Sequence, residues 1–423
     1  MDTVSKDTIS QKRETPGRIL EIRRDFPILN RQVQDKPLVY LDNGASTQMP
    51  KQVMDTINAY HEFHHSNVHR GVHQLSQEAT ELYEGAREKL RAFIGAASTK
   101  EVVYTSGTTE SINLVANSYG LANLKKGDKI LISNMEHHAN IVPWYMIAKK
   151  TGAEIVVIPI LDDGSLDMDA LSELMDNNVR ILCVNHVSNA LGTVNPVKEI
   201  AKMCRDYGVI TVIDGAQAVG HFPIDVVDLG VDFYAFSGHK MHGPTGVGVL
   251  YGREELLAKM EPFMGGGDMI LSVSFEKIIW NELPYKFEAG TPPIAQAIGL
   301  GAAVDYLNSL DREFLESYEN DLLEYATEKL KSVPGLKLVG TAPGKISLNS
   351  FVIEGVHPHD IGTILDGEGV AVRTGQHCAE PVMDRFGIPA TTRASMAFYN
   401  TFEEIDALTD ALLKVTELFD VTD

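Results

Sequence analysis

The sequence predicts an α/β protein built on a mostly parallel sheet covered on both faces, followed by a smaller α+β unit. Between about residues 100 and 250, short and nearly continuous apolar runs alternate with amphipathic stretches, as expected for strands buried by crossover helices. From about residue 306 onward that alternation gives way to helix, strands and helix. With 423 residues, 44% of them hydrophobic, the chain can bury a large core without disulfide or metal staples.

Taken in order, the first fifteen or so residues are polar and mixed in charge, and mobility is expected there. Ile19, Ile22 and Phe26 fall at helical spacing before Pro27 stops the pattern. Strands are expected at Glu101–Thr105, Lys129–Ser133, Glu154–Ile160, Val179–Val184, Val209–Asp214, Phe233–Ser237 and Val247–Tyr251. Helical patterns lie between several of them, such as Ile141–Lys150 and Val197–Tyr207. One long helical pattern runs from about Ala295 past Leu307 to Leu330 and bridges into the second unit. There, strands are expected near Leu336–Val339 and Ile346–Ile353, with a closing helix at Phe402–Phe419. The division is a mobile segment over 1–18, a large domain over 19–305 and a small domain over 306–423. Residues 19–37 are candidates to pack on the small one.

Fifty-eight acidic residues against 37 basic ones leave a net charge of −21, a field that repels nucleic-acid phosphates and anionic lipid. Three cysteines without CxxC spacing fit a reducing compartment better than a disulfide framework. No apolar run approaches the roughly 20 residues that cross a bilayer. The N-terminus shows no apolar secretory core, so the expected location is the cytoplasm.

In open α/β sheets ligands sit at the carboxyl ends of strands, so the residues just after each strand carry the functional argument. Lys240 follows Ser237-Gly238-His239 at one strand exit, where an amine kept partly neutral can form a Schiff base. By itself it reads as a surface lysine on a turn. Asp214 ends another strand, and a buried acid there needs a cation or donor, such as a protonated pyridine nitrogen. A helix cap is the ordinary alternative. Thr105-Ser106-Gly107-Thr108-Thr109-Glu110 opens a helix after a strand and offers free N–H groups and hydroxyls to a phosphate, with Ser237 and His239 as further donors. His137, in Met135-Glu136-His137-His138, could stack on an aromatic cofactor and shuttle protons. Asn189 and Gln217 follow other strand ends. Five such exits together make a pocket hypothesis.

Cys183 lies inside an apolar strand and Cys204 on an apolar helix face, so both read as inert core residues. Cys378 sits in Arg373-Thr374-Gly375-Gln376-His377-Cys378-Ala379-Glu380-Pro381, a loop in which His377 and Arg373 could favour a thiolate. His61, His65, His69 and His73 recur every four residues. Gly71 interrupts that helix and no acid or cysteine completes a set, so no metal site is expected.

From about Leu38 to Leu418 the chain resembles the cysteine desulfurases of the class V aminotransferase fold. Within them it resembles the SufS-type (group II) branch, which includes selenocysteine lyases. The blocks that carry this are Leu41-Asp42-Asn43-Gly44-Ala45-Ser46, Asn67-Val68-His69-Arg70-Gly71, Met135 to Trp144, Ser237 to Lys240, Phe287 to Pro292, and Arg373 to Cys378. The loop around Cys378 is short, as in that branch. The resemblance implies the type I fold of pyridoxal phosphate enzymes and a homodimer with its sites at the subunit interface. It implies that Lys240 bonds the cofactor, Asp214 pairs with the pyridine nitrogen, Gln217 with the ring hydroxyl, and His137 stacks on the ring. Thr108, Thr109, Ser237 and His239 look like the phosphate cradle, which Thr291 would complete in the other subunit. Arg393 looks like the clamp on the substrate carboxylate, with Arg373, Asn189, His69 and Arg70 near the substrate. The implied reaction converts L-cysteine to L-alanine through a persulfide on Cys378, passing sulfur to an acceptor for iron–sulfur cluster assembly. Gln376 stands where many relatives have histidine, which favours a SufE-like acceptor over a zinc-containing one. The alternatives are a selenocysteine lyase, a cysteine-sulfinate desulfinase or aminotransferase on the same fold, and a non-catalytic sulfur-carrier scaffold.

Overall fold

Seven strands form the central sheet of the computed structural model, which describes residues 12–421. Across the sheet they run Val102–Thr105, Gly248–Gly252, Phe233–Ser237, Ile210–Asp214, Val179–Asn185, Lys129–Ser133 and Glu154–Ile158. Neighbours pair in parallel except Gly248–Gly252, which is antiparallel to both strands beside it.

Strand residues point alternately to opposite faces, and here both faces are covered. Ile130, Ile132, Ile181 and Cys183 pack with Ile112 and Val115 of the Thr108–Val115 helix and with Trp144 and Ile147 of Val142–Thr151. Their sequence neighbours Leu131, Leu182 and Val184 belong to the opposite layer, with Ile200 and Cys204 of Val197–Tyr207 and Leu90 of Gln74–Phe93. Each fully buried aliphatic side chain contributes about 1.5–3 kcal/mol, so a run apolar at every position pins a strand between two helical layers.

A second sheet, all antiparallel, runs Leu336–Val339, Leu348–Ile353, Thr391–Ser395 and Arg373–Gly375, with the helices Arg312–Lys331, Pro358–Gly367 and Phe402–Leu418 around it. The chain before the large sheet reaches this unit. Val39–Tyr40 pairs in parallel with Val370–Ala371, and Arg23 donates to Glu404 at 2.6 Å and to the Tyr399 carbonyl at 2.9 Å. Of the N-terminal segment expected to be mobile, residues 1–11 lie outside the described residues. Thr15 donates to Glu403 at 2.6 Å, and a helix begins at Gly17.

The expected single helical pattern over 295–330 is two helices, Ile294–Ser309 and Arg312–Lys331. Asp311 makes the break by accepting the Phe314 N–H at 3.1 Å, an N-cap signal masked by the apolar period on either side. The strand expected to reach Ile160 ends at Ile158, because Pro159 has no N–H for the ladder. Glu101 is not part of its strand. Its carboxylate accepts the Ala97 and Ser98 N–H groups and closes a capping box around a 3₁₀ turn.

Candidate active site

Thr105, Ser133, Asn185, Asp214 and Ser237 end five strands that run in one direction, so their exits share one edge of the sheet. Gly248 pairs with both Thr105 and Ser237. A Cβ on Gly248 would lie 2.5 Å from the Gly107 Cα, so only glycine lets that turn close down on the strand. Gly107 itself has φ +151°, open to glycine. The Ser237 hydroxyl consequently accepts the Thr108 N–H at 2.9 Å and lies 2.8 Å from the Thr108 hydroxyl. Thr108, Thr109, Ser237 and His239 line one end of a cavity of about 310 Å³.

Asp214 and Lys240 line the same cavity. Asp214 accepts the Ala216 N–H at 2.9 Å, and burial raises its carboxyl above the usual range against the pull of Lys240. Burial lowers the Lys240 amine, with Asp214 opposing. The turn carrying Lys240 is tied down through the His239 carbonyl, which accepts the Thr47 N–H at 3.0 Å. Gln217 donates to the Gly44 carbonyl at 2.6 Å. The His137 ring accepts the Ala139 N–H at 3.0 Å, and burial holds it near 4, a neutral imidazole facing the cavity.

Arg393, 2% exposed, donates to the Asn189 carbonyl at 2.8 Å and to Asp42 at 3.3 Å, while its Nε is buried without a partner. Arg373 holds Asp42 through Nε at 3.1 Å and Nη2 at 2.9 Å. Asp42 therefore bridges both arginines, a role its motif did not disclose in the sequence. A Cβ on Gly44 would sit 3.2 Å from the Arg393 Cζ, so glycine lets the guanidinium lie against the backbone.

Cys378 is exposed and lines this cavity, whereas Cys183 and Cys204 are buried. Burial pushes the Cys204 thiol up to about 12 and Cys183 well above its usual range, which leaves both inert. The expectation that His377 could add positive charge beside Cys378 is corrected. His377 is buried, pairs with the Thr391 hydroxyl at 2.8 Å, and is pushed down to about 3 by burial and by Arg393, so it is neutral.

Within one chain, His69, Arg70 and Thr291 do not reach this cavity. His69 and Arg70 line a second one with Gly290 and Pro292, the residues on either side of Thr291. His69 pairs with Glu84 at 2.8 Å and Arg70 with Asp268 at 2.7 Å. Of the other regularly spaced histidines, His73 caps the Gln74–Phe93 helix, and the His61 and His65 rings lie 5.5 Å apart. Sequence reasoning also missed Glu136. Fully buried, it accepts from Ser133, from Asn140 at 2.6 Å and from the Asn185 N–H at 2.8 Å, and desolvation still lifts it to about 8.

These residues fit pyridoxal phosphate. Hydroxyls and a helix-opening turn suit the phosphate, a neutral imidazole suits an aromatic ring, and an acid raised by burial lacks only a protonated nitrogen. The buried Arg393 Nε is a free donor for a carboxylate.

The neutral histidines give the protein an acid limit. Burial holds His137, His186 and His239 near 4, and His242 and His377 near 3. Unfolded histidine titrates near 6.5, so between these values the unfolded chain binds more protons. This stability is complete above about pH 6.5 and is lost as pH falls through the folded values. Each fully buried histidine contributes at most about 1.4 kcal/mol per pH unit, and the partly buried His137 and His239 less. Urea midpoints are expected to fall steadily from pH 6.5 to pH 4.5. In a Glu136→Gln variant, which removes the opposing contribution of a carboxyl lifted to about 8, a flat profile there would contradict the burial of these rings.

Residues 39–408 match the family model described as aminotransferase class-V. A probable cysteine desulfurase of Xylella fastidiosa is 52% identical over 397 residues, 94% of this chain and 95% of its own. A cysteine desulfurase of Synechococcus elongatus is 49% identical over 94% of this chain, which spans 63% of that longer protein. Among solved structures, the cysteine desulfurase CsdA of Escherichia coli superposes with a TM-score of 0.88 at 41% identity, over 95% of this chain and 98% of that one.

Proposed function

The chain belongs to the class V aminotransferase family, and on that premise we infer that it is a pyridoxal phosphate-dependent cysteine desulfurase. The observation that carries this is the exposed Cys378 thiol lining the same cavity as Lys240, Asp214, His137 and Arg393.

The cofactor supplies a reactive aldehyde and a ring that takes up electrons from the substrate α-carbon. Thr108, Thr109, Ser237 and His239 would hold its phosphate, His137 its ring face and Gln217 its hydroxyl. Asp214 would hold a proton at the ring nitrogen. Arg393 binds the substrate carboxylate, with Asp42 and Arg373 keeping its guanidinium in place. Lys240, lowered by burial, is an effective base for the α-proton. The Cys378 thiolate then attacks the substrate sulfur. A sulfur–sulfur bond forms and the carbon–sulfur bond breaks, its electron pair passing to the substrate carbon. Protonation there gives L-alanine and leaves a persulfide on Cys378.

Replacing Arg393 with lysine removes the planar fork that meets a carboxylate at two points. The Arg393→Lys variant is expected to raise KM for cysteine about tenfold to a hundredfold, with a smaller change in kcat. An unchanged KM would reassign the clamp.

The short Cys378 loop supports placement in the SufS-type branch, with the sulfur delivered for iron–sulfur assembly in the cytoplasm. Gln376 supports a SufE-like acceptor. A homodimer accounts for the second cavity, whose His69 and Arg70, with Thr291 between its lining residues Gly290 and Pro292, would serve the site of a second copy. The exposed apolar side chains Phe63, Val72, Leu271 and Phe275 support such an interface. The net charge of −21 disfavours nucleic acid, and among the described residues no helix is long and apolar enough to cross a membrane.

The test is a visible absorbance spectrum before and after L-cysteine, with alanine assayed in parallel. A cofactor band that shifts as alanine forms is the expected result. A band that cysteine leaves unchanged would favour another substrate on the same fold, and no band after added cofactor would overturn the assignment.

A further inference from the structure

The Cys378 loop is held in a conformation that its own backbone disfavours. His377 and Cys378 have φ of +56° and +53°, two successive non-glycine residues in the left-handed region. Such residues are rare as singles and each carries a steric cost, so the loop keeps this shape only where its surroundings impose it. One restraint comes from Asn189, whose side-chain amide donates to the His377 carbonyl at 2.7 Å. His377 is also held by its ring's pairing with the Thr391 hydroxyl at 2.8 Å, and two further restraints come from His138. The His138 N–H donates to the Cys378 carbonyl at 2.7 Å, and the His138 Nε2 accepts the Glu380 N–H at 3.3 Å. His138 thus grips the loop on both sides of Ala379, and with Nε2 as the acceptor a neutral ring carries its proton on Nδ1. His137, the residue before it, faces the cavity. One short turn therefore ties the ring-facing histidine to the nucleophile.

We propose that His138 is a positioning residue that fixes Cys378 for sulfur attack and takes no part in the proton chemistry. The inference rests on the desulfurase reading above. Without the hydrogen bond from the Glu380 N–H to the imidazole, the Cys378–Glu380 segment relaxes toward ordinary backbone angles and carries the thiol from its aim. Lys240 and Arg393 are untouched.

The test separates the two kinds of chemistry. Exchange of the L-alanine α-hydrogen with heavy water needs Lys240 and Arg393 but no thiol, whereas alanine formation from L-cysteine needs Cys378. His138→Ala is expected to slow desulfuration about fivefold to tenfold, the worth of one hydrogen bond, with exchange unchanged. His138→Gln, whose side-chain oxygen can accept at the same reach, is expected to restore the rate. Every other pattern overturns the proposal, including equal losses in both reactions that glutamine does not restore. A Cys378→Ala control distinguishes the two failures. If that control still desulfurates, the functional reading falls; if it loses desulfuration alone while His138→Ala behaves as wild type, the positioning role falls.

Discussion

Replacing Cys378 with alanine is expected to cut sulfur transfer from L-cysteine by roughly a thousandfold or more, because no other thiol can take its place. Cys183 and Cys204 are buried in the core and held as thiols, so neither can stand in. The loop lies at the cavity mouth, and the change removes one exposed sulfur without opening a hole in the core. Folding and cofactor binding are expected to stay at wild-type levels. The measurements are persulfide labelling by mass spectrometry and alanine release in single turnover. Full-rate transfer in the variant would remove Cys378 from the mechanism.

Lys240→Ala is expected to have the second large effect, through a different step. The phosphate cradle and Asp214 remain, so cofactor is expected to bind. Borohydride, however, should no longer fix it to the chain. Loss of the base is expected to slow α-hydrogen exchange roughly a hundredfold to ten-thousandfold, and an added small primary amine should recover part of it. Cofactor still fixed by borohydride would place the reactive amine elsewhere.

The two variants together separate proton transfer from sulfur transfer. Lys240→Ala should slow both, since the α-proton must leave before the carbon–sulfur bond breaks. Cys378→Ala should abolish only the second.

Much of the site was legible because its residues follow strands whose apolar runs are continuous. Phe233–Ser237 and Lys129–Ser133 have the boundaries their sequence predicts, and the residues after the strands fall at the cavity. Local pattern could not disclose what depends on distant partners. Asp42 meets Arg373 across 331 residues of sequence and Arg393 across 351. Glu136 belongs to the same class, since its burial follows from strand neighbours such as Asn185. The break before Asp311 was written in the sequence but overridden by a stronger apolar period.

The sequence by itself determined the strands of the large sheet, the helix faces between them and the order in which polar residues leave that sheet, whereas Arg373–Gly375 and Thr391–Ser395 of the second sheet were not legible in it. Periodicity of two or 3.6 is a property of neighbouring residues, and burial of apolar surface acts on it directly. Only the tertiary structure decided which exits meet. The strand order across the large sheet differs from the order along the chain and brings Thr108, Asp214 and Lys240 to one cavity, to which the loop after a strand of the second sheet adds Cys378. It also made His377 neutral by burying it, bridged two arginines through Asp42, and set His69 and Arg70 at a second cavity. Charge state and reach are set by solvent exclusion and by side chains far away in sequence, and both exist only once the chain is folded.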